Sequence, residues 1–599
     1  MNPLPQFKRN LRSVSSFKIS LPGAVYCIAW LAVSITLPGS IAAAQVQTVL
    51  VDFGGRSNST PPVPSGFFAV GGAGDSLIDR DGISMLTSAG LTGTRFWISL
   101  QEIYGTSMGF RYLDARLRRI NASGLRPIGV IYDTPSSLGP STCAPPSDVS
   151  QWGEMAASVV AHVDQKFPGL LQDYEIWNEA ELPTSLCISD YNTRLNTYVS
   201  MFAAAASAMH AQATADGQTI RTGGPAIAEL GMAPYWLPAL LNDPSAAPYV
   251  DFVSFHLYLS GQDDINDGMD WPQLYAFTQS STRGVAYYYQ MIESLVRAGR
   301  QPNPESTPIY ITEFNTNWAF AVDCCRNHPA YGPLWNSLAI SDFLNVVYTG
   351  ATAVPSRVVY FNSAGNYFCL LGEWNADMDC DQSEMDPYPQ YYAYQLFASP
   401  TYLDLQDGGH MAVSVSPAST ASGLSATAFY TDGADNVVIV NPTSTSYDAV
   451  EVNLANPGLT LVAGTQYLLN ADNAQISVQS ATLTPISGGY STALAVPAYS
   501  TVALSVAGTQ MGAPPTAALT VTPQSGTHPL WVSIDSSQSL GGGGSAITGR
   551  TIDFGDGEWL SSRPSIWHEY TQPGSYTISV AVRNESQQVT YRETTITVY

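Results

Sequence analysis

Positive charge is the scarcest thing in this sequence. Of 599 residues 12% are charged, and 24 Lys and Arg stand against 48 Asp and Glu. Four of the basic residues, Lys8, Arg9, Arg12 and Lys18, fall in the first 44 positions, which hold no acidic residue. The remainder carries 20 basic against 48 acidic side chains, a formal charge of −28. Such a surface repels nucleic acid and anionic membranes, and argues against a strongly anionic polymer as substrate. Long apolar runs are missing too: beyond the N-terminal segment no stretch is long and apolar enough to span a bilayer. Cysteine is sparse, with seven in all, and Cys27 lies in that N-terminal segment. The other six show no zinc-ligand spacing with nearby acidic residues or His328, which speaks against a metal site.

What is present suits a compact, loop-rich exported protein. Glycine and proline are plentiful and there are 33 tyrosines. The basic residues at the N-terminus precede an apolar run from Leu21 to about Leu37. Ile-Ala-Ala-Ala-Gln at 41–45 then fits cleavage after Ala44, so residues 1–44 are expected to be a signal peptide. The mature protein is then secreted or periplasmic, and free of the membrane. An uncleaved anchor is the other reading of the same run. Six cysteines, an even number, remain in the exported chain: Cys143, Cys187, Cys324, Cys325, Cys369 and Cys380. In that setting they read as disulfide candidates.

A chain of this length holds roughly two to four domains. From 45 to 400, short apolar runs alternate with amphipathic stretches. Segments 65–72, 92–98, 126–133, 171–179, 219–226, 249–258, 307–315 and 357–363 read as strands. Helical patterns at 79–90, 151–165, 190–213, 283–299 and 333–349 lie between them. Eight buried-looking strands separated by helices predict an α/β fold with a parallel sheet, which closes as a (β/α)8 TIM barrel or stays open. From 401 to 508 the pattern changes to apolar residues alternating with small polar ones between turns, an antiparallel β-sandwich. The early strand 47–53 precedes the first barrel strand and is a candidate to join that sandwich.

A third unit spans 514–599. Its stretches "TIDFGDGEW" (551–559) and "HEYTQPGSYTISVAV" (568–582) resemble a polycystic kidney disease (PKD) domain, which implies an immunoglobulin-like sandwich. Gly555 and Gly557 allow the tight loop between Asp553 and Glu558. A spacer or stability module is the plainer reading of this unit, a glycan reader the sharper one.

The chemistry is concentrated at strand ends. The fourth predicted strand closes in Trp177-Asn178-Glu179 and the seventh reaches Glu313 within "IYITEFN". In a barrel the C-terminal strand ends share one opening, so two glutamates there can flank one bond. Glycoside hydrolysis needs that arrangement: one carboxyl to protonate the leaving oxygen, another to attack or to activate water. A lone strand-end glutamate is otherwise a solvated or capping residue.

"WNE" on strand four and "TE" with an aromatic on strand seven resemble the clan A retaining glycoside hydrolases, and the accessory sandwich brings the likeness nearest to family 39. The resemblance implies Glu179 as acid/base and Glu313 as nucleophile. It implies that Asn178 hydrogen-bonds the hydroxyl beside the reacting carbon, that Arg95 supports the nucleophile, and that His256 and Tyr258 flank it. One departure stands out, since many relatives have proline after the acid/base and this chain has Ala180-Glu181.

Glu313 is expected to stay ionised beside Arg95, and Glu179 to have its pKa raised near Trp177 and a second carboxylate. The two carboxyl groups are expected about 5–5.5 Å apart, the spacing of retention. Trp318 and Trp374, after strands seven and eight, are candidate stacking platforms for sugar rings or core residues. Tyr287–Tyr289 and the tyrosines of 390–397 read as packing surface. Cys143 is expected to pair with Cys187, with Cys324, Cys325, Cys369 and Cys380 crosslinking the last two loops.

The function expected is a secreted retaining glycosidase that needs no metal or organic cofactor. Its partner is a polysaccharide or oligosaccharide of plant or microbial origin, cut internally. An exo-acting β-xylosidase, β-glucuronidase or arabinofuranosidase is the alternative, and a non-catalytic glycan-binding protein on a hydrolase scaffold is the reading from another class.

Overall fold

The computed structural model describes residues 47–599 except 54–62, 65, 73–79, 261–274, 277, 279, 283, 318–330, 347–350, 364–369, 375–379, 406–409, 412–413, 418–422, 432–433, 456, 458, 471–472, 511–514, 543–545, 562 and 585–588. The expected signal peptide therefore lies outside the described residues. Among those residues no helix is long and apolar enough to cross a membrane.

Eight parallel strands close into a barrel. They are β1 (Phe68–Gly71), β2 (Gly93–Ser99), β3 (Arg126–Tyr132), β4 (Asp173–Ile176), β5 (Arg221–Ile227), β6 (Phe252–Ser260), β7 (Ile309–Asn317) and β8 (Arg357–Tyr360). Closure is made by β8 against β1, with Phe68 opposite Val358. Each strand is buried on both faces, which is why the sequence shows apolar runs rather than clean alternation. Phe96, Ile98, Tyr174, Ile176, Phe255 and Leu257 point outward into the main core under the helices. Ala69, Ile128, Phe252, Tyr310 and Val359 fill the barrel floor, where the rings of Phe252 and Tyr310 stack at 4.4 Å.

Helices follow the strands where the sequence supplies caps. Asp148 accepts the Gln151 N–H at 3.0 Å and opens helix Val149–Lys166; Asp190 accepts the Thr193 N–H at 2.8 Å and opens Tyr191–Ala215. After β8 the chain adds a two-stranded ribbon, Leu371–Trp374 against Cys380–Pro387, which periodicity alone does not announce.

The sandwich has a six-stranded and a five-stranded sheet. Strand Gln47–Asp52 enters the smaller one, antiparallel to Ser414–Pro417 but parallel to Tyr447–Ala455. The expected all-antiparallel arrangement is thus broken at one pair, because that strand arrives from the far end of the chain. In Ala434–Asn441, Val437 and Ile439 face the sandwich core while Val438 and Val440 face the barrel's core. The six-stranded sheet thus packs on both faces. Its seam with helix Tyr331–Asn345 is sealed by Thr427, whose hydroxyl donates to Asn345 Oδ1 at 2.7 Å.

The C-terminal unit has sheets of three and five strands around Val532, Ile534, Ile552, Val580 and their neighbours. Gly555 and Gly557 have φ of 79° and 95°, and a Cβ on Gly555 would meet the Thr577 carbonyl at 2.4 Å. Asp556 is held by His568 Nε2 at 2.6 Å and Asp553 accepts the Gly555 N–H, so both carboxylates are used within the loop.

Cys143 and Cys187 form a disulfide tying the loop after β3 to the loop after β4. The other four cysteine side chains lie outside the described residues. The bridge closes a span of 44 residues, which in the chain-entropy account stabilises the fold by up to about 4 kcal/mol. A C143S/C187S double variant is expected to unfold at a clearly lower denaturant concentration. An unchanged midpoint in guanidinium would count against the bridge.

Candidate active site

Inward-pointing side chains from four strands meet at the C-terminal end of the barrel. Arg95 on β2 is the hub. Its Nε donates to Glu175 Oε2 at 2.7 Å, its Nη1 to Glu313 Oε1 at 2.9 Å, and its Nη2 to Asn178 Oδ1 at 2.7 Å. Arg95 is buried, and although burial works against its charge, Glu175 and Glu313 more than compensate and raise its pKa.

Glu313 owes its position to a break in strand parity. Strict alternation would turn Thr312 inward and Glu313 outward. The register with both neighbours shifts here, between Phe255 and His256 on β6 and between Ile311 and Phe314 on β7. Thr312 and Glu313 therefore both face the interior, while Phe314 turns outward to stack on Trp335 at 5.1 Å. Tyr258 donates to Glu313 Oε2 at 2.7 Å. Burial, with the charge of Glu313, pushes the Tyr258 phenol well above its ordinary pKa, so it remains a donor.

Glu179 stands beyond the end of β4 on an irregular turn. Trp177 and Glu179 both have positive φ, 65° and 50°. Such conformations cost non-glycine residues about 1–3 kcal/mol and persist where surroundings fix them. Here the Trp177 N–H donates to the Ile131 carbonyl, the Glu179 N–H to that of Ala226, and the Ser185 hydroxyl to that of Asn178. The Trp177 ring is fully buried between Tyr132 and Trp152, at 5.5 and 6.0 Å.

The expectation of a raised pKa for Glu179 is corrected by its neighbour. Burial does push it upward, but the hydrogen bond and charge of His256, with Arg95 beyond, outweigh burial and hold it below the ordinary value. His256 Nδ1 lies 2.8 Å from Glu179 Oε1 and 3.6 Å from Glu313 Oε2. Burial lowers the imidazole pKa, yet Glu313 and Glu179 together leave it raised. The Trp177 ring, credited with desolvating Glu179, is instead the anchor beneath the turn.

The ligating atoms of Glu179, His256 and Glu313 all lie within 4.8 Å of one another. Among the described residues this is the one cluster of such groups that could surround a metal ion. Arg95 already places a cation against Glu313, which disfavours a second one there.

Three residues not singled out from sequence complete the site. Glu175, in the middle of β4, is fully buried and also accepts from Thr312 at 2.8 Å. Two acidic residues, Asp173 and Glu175, alternating within a four-residue strand were the signal available. Trp97 and Tyr132, half-buried with rings 5.2 Å apart, form an aromatic wall in which Arg95 lies 4.9 Å from the Trp97 ring. The side chains of Trp318 and Trp374 lie outside the described residues. Among the tyrosine runs, Tyr289, Tyr391 and Tyr394 are buried as expected of packing residues, whereas Tyr287 is exposed.

The Ala180-Glu181 departure has a structural role. Ala180 is buried, and Glu181 Oε1 accepts the N–H groups of Ala228 and Glu229 at 2.6 and 2.9 Å, stitching the loop after β4 to the loop after β5. Burial raises the Glu181 pKa to about 7 against the pull of those amides. The folded state therefore keeps a proton that the unfolded chain loses from about pH 4.3 upward. Stability falls as pH rises through that window, by about 4 kcal/mol once Glu181 ionises. E181Q is expected to gain in Tm relative to the wild type between about pH 4 and about pH 8. A difference in Tm that stays constant with pH would sink this assignment.

Residues 105–399 match the profile of Glycosyl hydrolases family 39, and residues 512–598 that of the PKD domain. No curated protein matches the sequence. Among solved structures, a monomeric β-xylosidase from Caulobacter crescentus CB15 superposes with a TM-score of 0.55 at 15% identity, over 77% of this chain and 99% of its own. A family 39 enzyme from Xanthomonas axonopodis pv. citri gives 0.55 at 14%, over 79% and 99%. A family 30 endoxylanase from Clostridium papyrosolvens C71 gives 0.50 at 14%, over 77% and 100%. The protein is thus a glycosidase, with residues 105–399 matching the model of glycosyl hydrolases family 39 and a PKD domain at residues 512–598.

Proposed function

We propose that the protein is a secreted, retaining glycosidase that cuts within a neutral plant or microbial polysaccharide by double displacement. The observation that carries this is the closeness of two unlike carboxyl groups. Oxygens of Glu179 and Glu313 come within 4.8 Å, near the spacing of retention and well short of the roughly 6.5–9.5 Å of inversion. Their surroundings differ as their roles require. Glu313 is clamped by Arg95 and Tyr258 with 8% of its side chain exposed, whereas Glu179 reaches the mouth with 23% exposed.

In the first step a Glu313 oxygen bonds to the anomeric carbon as the bond to the leaving oxygen breaks, and Glu179 gives that oxygen its proton. In the second, Glu179 takes a proton from water, whose oxygen displaces Glu313 from the same carbon. Asn178 presents its Oδ1 to Arg95, which leaves its NH2 to donate to the neighbouring sugar hydroxyl. The acidic chain favours an uncharged substrate, and the appended PKD unit suits work on a polymer.

The test is hydrolysis of a panel of neutral polysaccharides and aryl glycosides, followed by proton NMR of the first-formed anomer and sizing of the products. Retained configuration with a ladder of oligosaccharides is expected. An inverted first product would overturn the mechanism, and release of monosaccharide alone would replace internal cutting with exo action.

A further inference from the structure

We propose that Glu175 is a positioning residue that divides the charge of Arg95, and so sets the balance between the two steps of the reaction proposed above, on which this inference rests. Glu175 touches neither the mouth nor any reacting atom. Its Oε2 sits 2.7 Å from both Nε and Nη2 of Arg95, and its Oε1 accepts from Thr312 at 2.8 Å. Burying a carboxylate so completely is costly unless its lone pairs are met, and here two hydrogen bonds and the ion pair with Arg95 meet them.

Glu313 alone would neutralise Arg95, so the fold does not need a second carboxylate for pairing. The effect of Glu175 is felt at Glu313. Glu175 Oε2 lies 2.7 Å from two nitrogens of the guanidinium, whereas Glu313 Oε1 lies 2.9 Å from one. The arginine is therefore held mainly by the residue that does not react, and only part of its charge bears on the one that does.

Removing the negative charge of Glu175 has two consequences. The full guanidinium charge then draws electron density from the attacking oxygen of Glu313, which slows formation of its bond to the anomeric carbon and eases the breaking of that bond in the second step. The site also loses a negative charge where oxocarbenium-like positive charge develops, which slows both steps. The effects add in the first step and oppose in the second.

The experiment uses the full chain with E175Q. Glutamine fills the same space, accepts from Arg95 through its oxygen and donates to Thr312 through its nitrogen. The probes are the phenyl and 2,4-dinitrophenyl glycosides of the sugar that the wild-type enzyme hydrolyses. With the poor phenyl leaving group the first step limits kcat; with dinitrophenyl the second does. E175Q is expected to lower kcat on the phenyl glycoside about tenfold to a hundredfold, and on the dinitrophenyl glycoside at least about fivefold less. Equal losses on both, or no loss on either, would overturn the proposal. If E175Q does not fold, T312V, which loosens Glu175 without touching Arg95, is expected to give a smaller split of the same sign; equal effects there overturn it too. E313A is measured alongside. Turnover in E313A overturns the functional reading and this inference with it, whereas an inactive E313A with no split in the other variants overturns this inference alone.

Discussion

Replacing Glu313 by alanine is expected to lower turnover by at least about 10⁴-fold while leaving the protein folded. The loss follows from the proposed chemistry, since without the carboxylate no covalent intermediate forms and no second group stands at that distance from the anomeric carbon. The survival of the fold follows from the hub. Stripping one partner from a buried ion pair usually costs about 3–5 kcal/mol, because the other charge is left uncompensated. Arg95 escapes this, since Glu175 and Asn178 still hold its Nε and Nη2. Near-wild-type Tm together with absent activity is therefore the expected signature. In E313G the vacated space lies beside Arg95 and the Tyr258 hydroxyl, both suited to an anion, and azide is expected to restore turnover there. The product should be a glycosyl azide of inverted configuration, because azide attacks from the side that Glu313 held. Turnover within about tenfold of wild type in E313A would reject the nucleophile assignment, and so would a glycosyl azide of retained configuration.

The barrel was legible because parallel strands buried on both faces write themselves as apolar runs, and because amphipathic stretches separate those runs. Two glutamates at the ends of strands four and seven were legible for a related reason: the topology brings all such ends to one opening, whatever the details of packing. What sequence could not give was parity and partnership. The shift that turns Glu313 inward beside Thr312 leaves no trace in composition, and the pairing of Glu175 with Arg95 across the barrel leaves none in spacing. The resemblance sets His256 beside the nucleophile, yet its nearer contact is Glu179, on the turn after β4 and 77 positions earlier. That difference reverses the direction of the Glu179 pKa. Glu181, the point of departure from the relatives, gained a meaning only when its oxygen was found on two amides of another loop.

Replacing Glu179 by alanine is expected to slow hydrolysis of phenyl glycosides by about 10²–10⁴-fold, while dinitrophenyl glycosides, whose leaving group needs no proton, keep a normal first step. The pH profile carries the sharper test, because the proton in question belongs to a pair. Glu179 is held below its ordinary pKa and His256 above its own, so the pair takes a second proton only in more acid solution and surrenders its last above the ordinary imidazole value. Between those limits it holds one transferable proton. With that proton on Glu179, His256 Nδ1–H can still donate to Oε1, and the acidic hydrogen on Oε2 can face the leaving oxygen. With it on the imidazole, Nε2–H would be a buried donor, and Nε2 has no acceptor among the described residues. Geometry therefore favours the acid-competent form, even though the hydrogen bond and charge of His256, with the charge of Arg95, pull the Glu179 pKa downward. Raising pH through the His256 value removes the proton, so the basic limb of kcat/KM on phenyl glycosides should lie above about 6.5 in the wild type. In E179A the limb should vanish, since no carboxyl remains to deliver that proton to the leaving oxygen. If the limb persists unchanged in E179A, the acid lies elsewhere; if it disappears only in a His256 variant, the imidazole and not the carboxyl delivers the proton.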